Sequence, residues 1–141
     1  MTALEGPDYQ VQAQVVVALR ASADLKALIG NPIRLYETVP AKATFPYCTL
    51  GESKDLPDLA ECIDGSEINF SIHVWSKSPG WKEAKQIAKC IRDVLAAATI
   101  TMTENRCLLI GRDQTGDFSV IDPDGVTRHV IANFRAVVEP L

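Results

Sequence analysis

The clearest pattern in the chain is an alternation of apolar and polar residues that gives way to a helical period. Between residues 67 and 74 every second side chain is apolar, which is the period of a β-strand with one buried face. After a break at residues 78–80, apolar positions recur three and four apart, as in an amphipathic helix. These positions are Ala84, Ile87, Ala88, Ile91, Val94, Leu95 and Ala98. The pattern therefore predicts a strand followed by a helix packed on its apolar face.

Weaker patterns on either side of this unit predict the remaining elements. Residues 7–22 have helical spacing after Pro7, and Ser22 is suited to cap a short helical turn over residues 23–29. Short strands are predicted at 33–37, 47–50, 106–110 and 117–121, and a long one at 126–139. The predicted core side chains of the last strand are Val130, Ala132, Phe134, Ala136 and Val138. Together these elements predict an α+β fold: a mostly antiparallel, largely meandering sheet with two helices packed on one face.

The length of 141 residues predicts one domain over residues 1–141, with residues 1–6 frayed. Residues 51–66 are rich in acids and turn formers, and we expect them to form a long loop between two strands. Loops of this length inside compact domains are usually functional or mobile. The candidate contact residues in this loop are Lys54, Asp55, Asp58 and Glu61.

Composition excludes several classes of function. The net charge of −4 and the pI near 5.1 argue against a protein that binds DNA through a positive surface. The apolar runs fall well short of the ~20 residues that cross a bilayer, and no secretory signal is expected at the N-terminus. The four cysteines lack the spacing of a zinc site, so free thiols are expected.

Residues suited to catalysis are few. His73 and His129 both lie in predicted strands, and a nucleophile, histidine and acid can be combined only by taking Ser71 or Cys48 with Asp117. No nucleophile elbow and no phosphate-binding glycine motif accompanies them. We therefore expect no enzyme activity, no metal and no cofactor. A small enzyme that uses His73 or His129, and a ligand-binding module, are the alternatives from other classes.

The second face of the predicted sheet carries residues typical of protein contacts. Trp75 follows the polar side of its strand, and two aliphatic residues do the same on the last strand. Aromatic and arginine side chains are enriched at interface cores, so we expect a subunit or partner interface here. The candidate residues are His73, Trp75, Arg128, Ile131, Arg135 and Val137. The alternative is that another part of the same chain covers this face; if a subunit covers it, Trp75→Ala weakens self-association more than stability.

Several short stretches resemble a known family in their order and spacing. They are residues 27–30 ahead of 33–36, Val39-Pro40, residues 45–51, residues 72–76, residues 80–84, Asp122-Pro123-Asp124-Gly125, residues 127–129, residues 134–136 and Glu139. In these stretches the chain resembles the small tail-completion or tail-terminator proteins of siphophages and gene transfer agents, a class of domains of unknown function. The resemblance covers nearly the whole chain, apart from residues 53–65.

The resemblance implies a structural role in a virion. Such proteins assemble as a ring, with a hexamer suspected here, at the head-proximal end of the tail tube. The implied partners are the tail tube protein and the head–tail connector, with DNA passing through the channel without specific binding. Assembly would take place in the host cytoplasm. Another head–tail joining or neck protein is the alternative within this class.

Overall fold

A computed structural model of the protein describes residues 6–58 and 65–141, which form three helices and one six-stranded sheet. The helices are α1 (Pro7–Ala21), α2 (Ala23–Ile29) and α3 (Lys82–Ala97). The strands are β1 (Leu35–Tyr36), β2 (Tyr47–Asp58), β3 (Gly65–Ser76), β4 (Asn105–Arg112), β5 (Phe118–Ile121) and β6 (Arg128–Pro140). The predicted α+β class is confirmed, but the prediction of two helices is incomplete, because residues 23–29 form a helix of their own.

Ser22 divides the N-terminal helical segment into α1 and α2. Its backbone N–H donates to the carbonyl of Leu19 at 3.2 Å, which closes α1. Its hydroxyl accepts from the backbone N–H of Leu25 at 3.2 Å, which caps α2. Gly30, at a φ of 94°, ends α2 in a conformation that a side chain would disfavour.

The sheet has the strand order β1-β2-β3-β6-β4. β4 and β5 pair with the same edge of β6, at opposite ends of it. β1 pairs with β2 in parallel, and the other pairs are antiparallel, so the mostly antiparallel sheet was correctly predicted. The sheet is not a simple meander, however. β6 returns to lie beside β3, because its long apolar face belongs in the centre of the sheet.

All three helices contribute to one core with the apolar face of the sheet. Ile87, Ile91 and Leu95 of α3 are completely buried, as the helical spacing predicted. From β3, Ile68, Ile72 and Val74 face this core, and the five predicted core positions of β6 are buried as well. Within the described residues, no helix has both the length and the apolar character needed to span a membrane.

The prediction of a long loop over residues 51–66 is wrong for its described part. β2 continues to Asp58 and pairs residue by residue with β3, from Tyr47 opposite Trp75 to Asp58 opposite Gly65, with one irregularity between Leu50 and Ser53. Lys54 and Asp55 are therefore exposed residues of a strand. Glu61 lies outside the described residues, as do residues 1–5 of the predicted frayed start.

Candidate subunit interface

The sheet face opposite the helices, called the outer face below, carries most of the predicted interface residues. The β3–β6 register places His73 opposite Ile131, Trp75 opposite His129 and Glu67 opposite Val137. Because side chains alternate along a strand, His73, Trp75, Ile131, Arg135 and Val137 share this face. The structure thus brings five of the six predicted side chains to one surface.

Arg128, the sixth, lies on the other side of the sheet. It is paired with Ser76, a completely buried residue of the helix side. Its guanidinium lies over the ring of Trp81, 5.5 Å from the ring centroid, at the start of α3. This arginine therefore supports the packing of α3 on the sheet.

The centre of the outer face is a stack of aromatic rings. His129 lies against Trp75 with ring centroids 3.6 Å apart, and the indole N–H of Trp75 donates to the hydroxyl of Thr49 at 3.2 Å. Tyr47 stacks on the far side of the indole at 6.3 Å. Much of the Trp75 ring is thus covered by its own chain, so we expect Trp75→Ala to lower fold stability as well as any self-association.

His73 and His129 form a hydrogen-bonded pair. His73 Nδ1 lies 2.7 Å from His129 Nε2. The remaining nitrogen of each ring faces an acid: His73 Nε2 lies 3.5 Å from Glu52, and His129 Nδ1 lies 3.5 Å from Asp122. The histidine cluster, as we call Glu52, Ser71, His73, His129 and Asp122, thus joins β2, β3, the end of β5 and β6.

The pKa values of Glu52 and His129 are both lowered, by hydrogen bonding in the acid and by burial in the histidine. The pKa of Glu52 is lowered by a hydrogen bond from its own backbone N–H and by one from the hydroxyl of Ser71, which donates at 2.9 Å. The pKa of His129 is lowered, first by burial and then by neighbouring His73. These shifts favour an ionised Glu52 and a neutral His129 at neutral pH.

Gly51 makes room for this cluster. A Cβ atom at this position would lie 2.3 Å from the hydroxyl of Ser71 and 2.5 Å from the ring of His73. The irregular register of β2 at this point lets Glu52 reach both residues from the neighbouring strand. Glycine is therefore required by the packing of the imidazole.

The cluster does not have the layout of a hydrolytic site. Ser71 donates its proton to Glu52, and its oxygen lies 3.3 Å from His73 Nε2. β3 is paired with β6 from Ser66 to Ser76, and with β2 except at the irregularity opposite Ser71. The combination of Ser71 or Cys48 with Asp117 is not formed, because Asp117 pairs with Arg92 of α3 and Cys48 is in the core.

An apolar patch adjoins the histidine cluster, and sequence reasoning found only part of it. Ile131 and Val137 were predicted, and the structure adds Leu109 opposite Val137 and Phe118 opposite Ile131. Phe118 is 55% exposed, Leu109 51% and Val120 44%. We call Phe118, Val120 and Ile131 the apolar patch; Leu109 and Val137 form a second apolar pair farther along β6, beyond Asn133 and Arg135. The short strand at 117–121 was predicted, but the sequence does not indicate that its apolar side chains share a face with Ile131.

The remaining predicted contact residues are polar, and they lie between the apolar groups or on β2. Arg135 forms an ion pair with Glu67 across the β3–β6 ladder. Lys54 and Asp55 lie on β2 at the other edge of the sheet, and Asp58 ends that strand. No three His, Cys, Asp or Glu side chains converge as metal ligands in the part of the chain that the structure describes.

Comparison with known proteins assigns the chain to a family. A family model described as tail completion protein gp17 matches residues 13–139, nearly the whole chain. The chain belongs to this family. The resemblance seen in the sequence is confirmed, and with it the expected location in a virion tail. No curated protein matches the chain.

Two solved structures resemble this tail completion protein. A chain of the virion of a native gene transfer agent particle superimposes with a TM-score of 0.78 at 28% identity, covering 92% of this chain and 94% of that chain. The bacteriophage SPP1 gp17 protein superimposes with a TM-score of 0.59 at 20% identity, covering 96% and 94%. At that identity, the second likeness concerns the fold alone.

Proposed function

We propose that this tail completion protein is a tail terminator: a ring of identical subunits, six in number, on the head-proximal end of the tail tube. The ring stops tube polymerisation and presents a surface to the head–tail connector. Membership of the tail completion family supports a role in the tail. The likeness to a chain from an assembled gene transfer agent virion supports a role inside a particle.

The apolar patch carries this proposal. Phe118 and Val120 are each roughly half exposed and lie beside Ile131 on the outer face, and Leu109 is half exposed beside Val137 farther along β6. Large contiguous apolar surfaces on soluble proteins mark contacts with other proteins. A neighbouring subunit that covers this patch would remove these side chains from water.

The two ends of the sheet suggest how such contacts form a ring. β4 and β5 pair only with β6 among the described strands, and β2 beyond Leu50 pairs only with β3. The β4 and β5 edge carries the exposed apolar residues Leu109, Phe118 and Val120, and the β2 edge carries Glu52, Lys54 and Asp55. Contact between unlike surfaces of successive copies is heterologous, and it closes into a ring when the rotation permits.

Size and charge favour a ring over a single subunit. A folded chain of this length has a radius of gyration of about 14 Å, too small to surround a DNA duplex alone. The net charge of −4 provides no positive field that would hold DNA in a channel. Several copies around a central opening would let DNA pass without binding.

Native mass spectrometry of the full chain, alone and mixed with tail tubes, tests the proposal. We expect a closed hexamer, either free in solution or formed when tubes are added. A chain that stays monomeric under both conditions would overturn it. Binding to isolated connectors without any binding to tubes would instead indicate a neck protein of the same class.

A further inference from the structure

The histidine cluster offers three contacts that a ring proton can occupy, although Glu52, 85% exposed, also meets water. Glu52 and Asp122 are carboxylates, which only accept hydrogen bonds, and each faces a ring nitrogen at 3.5 Å. The two facing nitrogens, 2.7 Å apart, need one proton between them. Satisfying all these contacts takes three ring protons, whereas two neutral imidazoles carry two.

We propose that the His73–His129 pair is a binding site for one additional proton, held between Glu52 and Asp122, and that a second additional proton separates the two rings. With one proton added, His73 donates to Glu52 and to His129, and His129 donates to Asp122. Each polar atom along this line then has a partner of the right kind. The bound proton joins β2 to the turn after β5 across the two central strands of the outer face.

The position of the first proton follows from the surroundings of the two rings. Burial and the neighbouring ring lower the pKa of His129, so His129 is the ring that stays neutral. Glu52 stays ionised because hydrogen bonds lower its pKa. Tyr47, the other titratable group of β2 near this stack, is uncharged, since burial raises its pKa further above its ordinary value of 10.0. From the β5 side, Asp122 is the group that faces the pair.

A second proton places N–H groups on both facing nitrogens. At 2.7 Å, two donors without an acceptor repel one another, so this contact cannot persist. His129 keeps its contact with Trp75, because the face of an indole ring attracts a cation. The bond that breaks is therefore the one between His129 and His73.

This separation would act on the apolar patch. His129 is paired directly with Val120, and Asp122 follows β5 immediately. Loss of the histidine pair therefore loosens the attachment of β5 to the rest of the outer face. The resulting effect on ring assembly rests on the proposed function; the proton site itself does not.

Nitrogen-15 NMR of the two histidine rings in the full chain, from about pH 8 to about pH 4.5, tests the site directly. Coupled rings take up protons in two separate macroscopic steps. We expect the first step to move the signals of both rings together, with His129 left as a neutral ring protonated on Nδ1. Independent titration of the two rings in one overlapping step would overturn the proposal.

A pair of carboxylate variants provides the control. Asp122→Asn keeps an acceptor oxygen but removes the charge next to His129, and should move the first step to lower pH by about one unit. Asp93→Asn removes the same charge from an exposed position on α3 and should leave the step in place. Equal shifts in both variants would contradict a proton held at this site.

Sedimentation of the same samples separates the two proposals. Two coupled NMR steps with an assembled protein that dissociates across the second step would support both the site and its effect on assembly. Two coupled steps in a protein that is monomeric at every pH, both alone and with tail tubes, would support the proton site and overturn the ring. Coupled steps in a ring that stays intact would overturn the link between them.

Discussion

Phe118→Ala is expected to weaken self-association far more than it weakens the fold. The side chain is 55% exposed, so about 100 Å² of an aromatic residue remains for a neighbour to cover. At about 25 cal/mol per Å², covering this area contributes about 2.5 kcal/mol to each interface. Its loss corresponds to a decrease of roughly 50- to 100-fold in the association constant of one interface. The cost to the fold should be about 1 kcal/mol, because the ring belongs to an edge strand.

Tyr9→Ala is the matched control. Tyr9 is an aromatic residue of α1 with 52% exposure, on the helix side of the sheet. Sedimentation velocity over a dilution series should show the Phe118 variant dissociating at much higher concentration than the wild type or the Tyr9 variant. If Phe118→Ala assembles like the wild type, or if both variants lose assembly equally, the outer face is not the contact surface.

Three further outcomes test the fold itself. Ile91→Ala should lower the free energy of unfolding by about 2–5 kcal/mol, and Ile91→Asp should abolish the cooperative melt; a normal melt of the latter would contradict the register of α3. Burial raises the pKa of Cys48 to about 12, so iodoacetamide at about pH 8 should label half-buried Cys90 before Cys48. Peptide mass mapping measures the two labelling rates, and equal rates would place Cys48 outside the core. The hydroxyl of Thr127, with two backbone N–H groups, lowers the pKa of Asp124 to about 2. This stabilisation is complete above the ordinary aspartate pKa of about 3.9 and is lost as the pH falls towards 2. The melting temperatures of the wild type and Asp124→Ala should therefore converge as the pH approaches 2. A difference that stays constant with pH would contradict this role of Asp124.

The central part of the fold could be predicted because burial imposes a period on the sequence. β3 and α3 each hide one face in the core, so apolar residues recur at intervals of two in the strand and of three and four in the helix. The same holds for β6, whose inward side chains from Val130 to Val138 are all small or apolar. Elements that bury one face reveal themselves locally.

The second half of β2 could not be predicted for the same physical reason. Residues 52–55 are all exposed, so burial requires no alternation of apolar and polar side chains. The backbone ladder to β3 holds this segment instead, and a ladder has no residue pattern of its own. Acids and turn formers in this stretch therefore suggested a loop.

The histidine cluster needed long-range pairing that local patterns do not contain. His73 and His129 were each placed on strands from the sequence, but their contact depends on the register between β3 and β6. Phe118 and Val120 were missed because a short edge strand without a core face gives no sign of which side chains share a surface.

Electron microscopy of tail tubes assembled from purified tube protein tests the central claim most directly. With the tail completion protein added, tubes should stop growing at a defined stage and carry a ring at one end only. Addition of the Phe118→Ala variant should leave long, uncapped tubes. Tubes that grow to the same length with the wild-type protein as without it, and that carry no ring, would contradict the account.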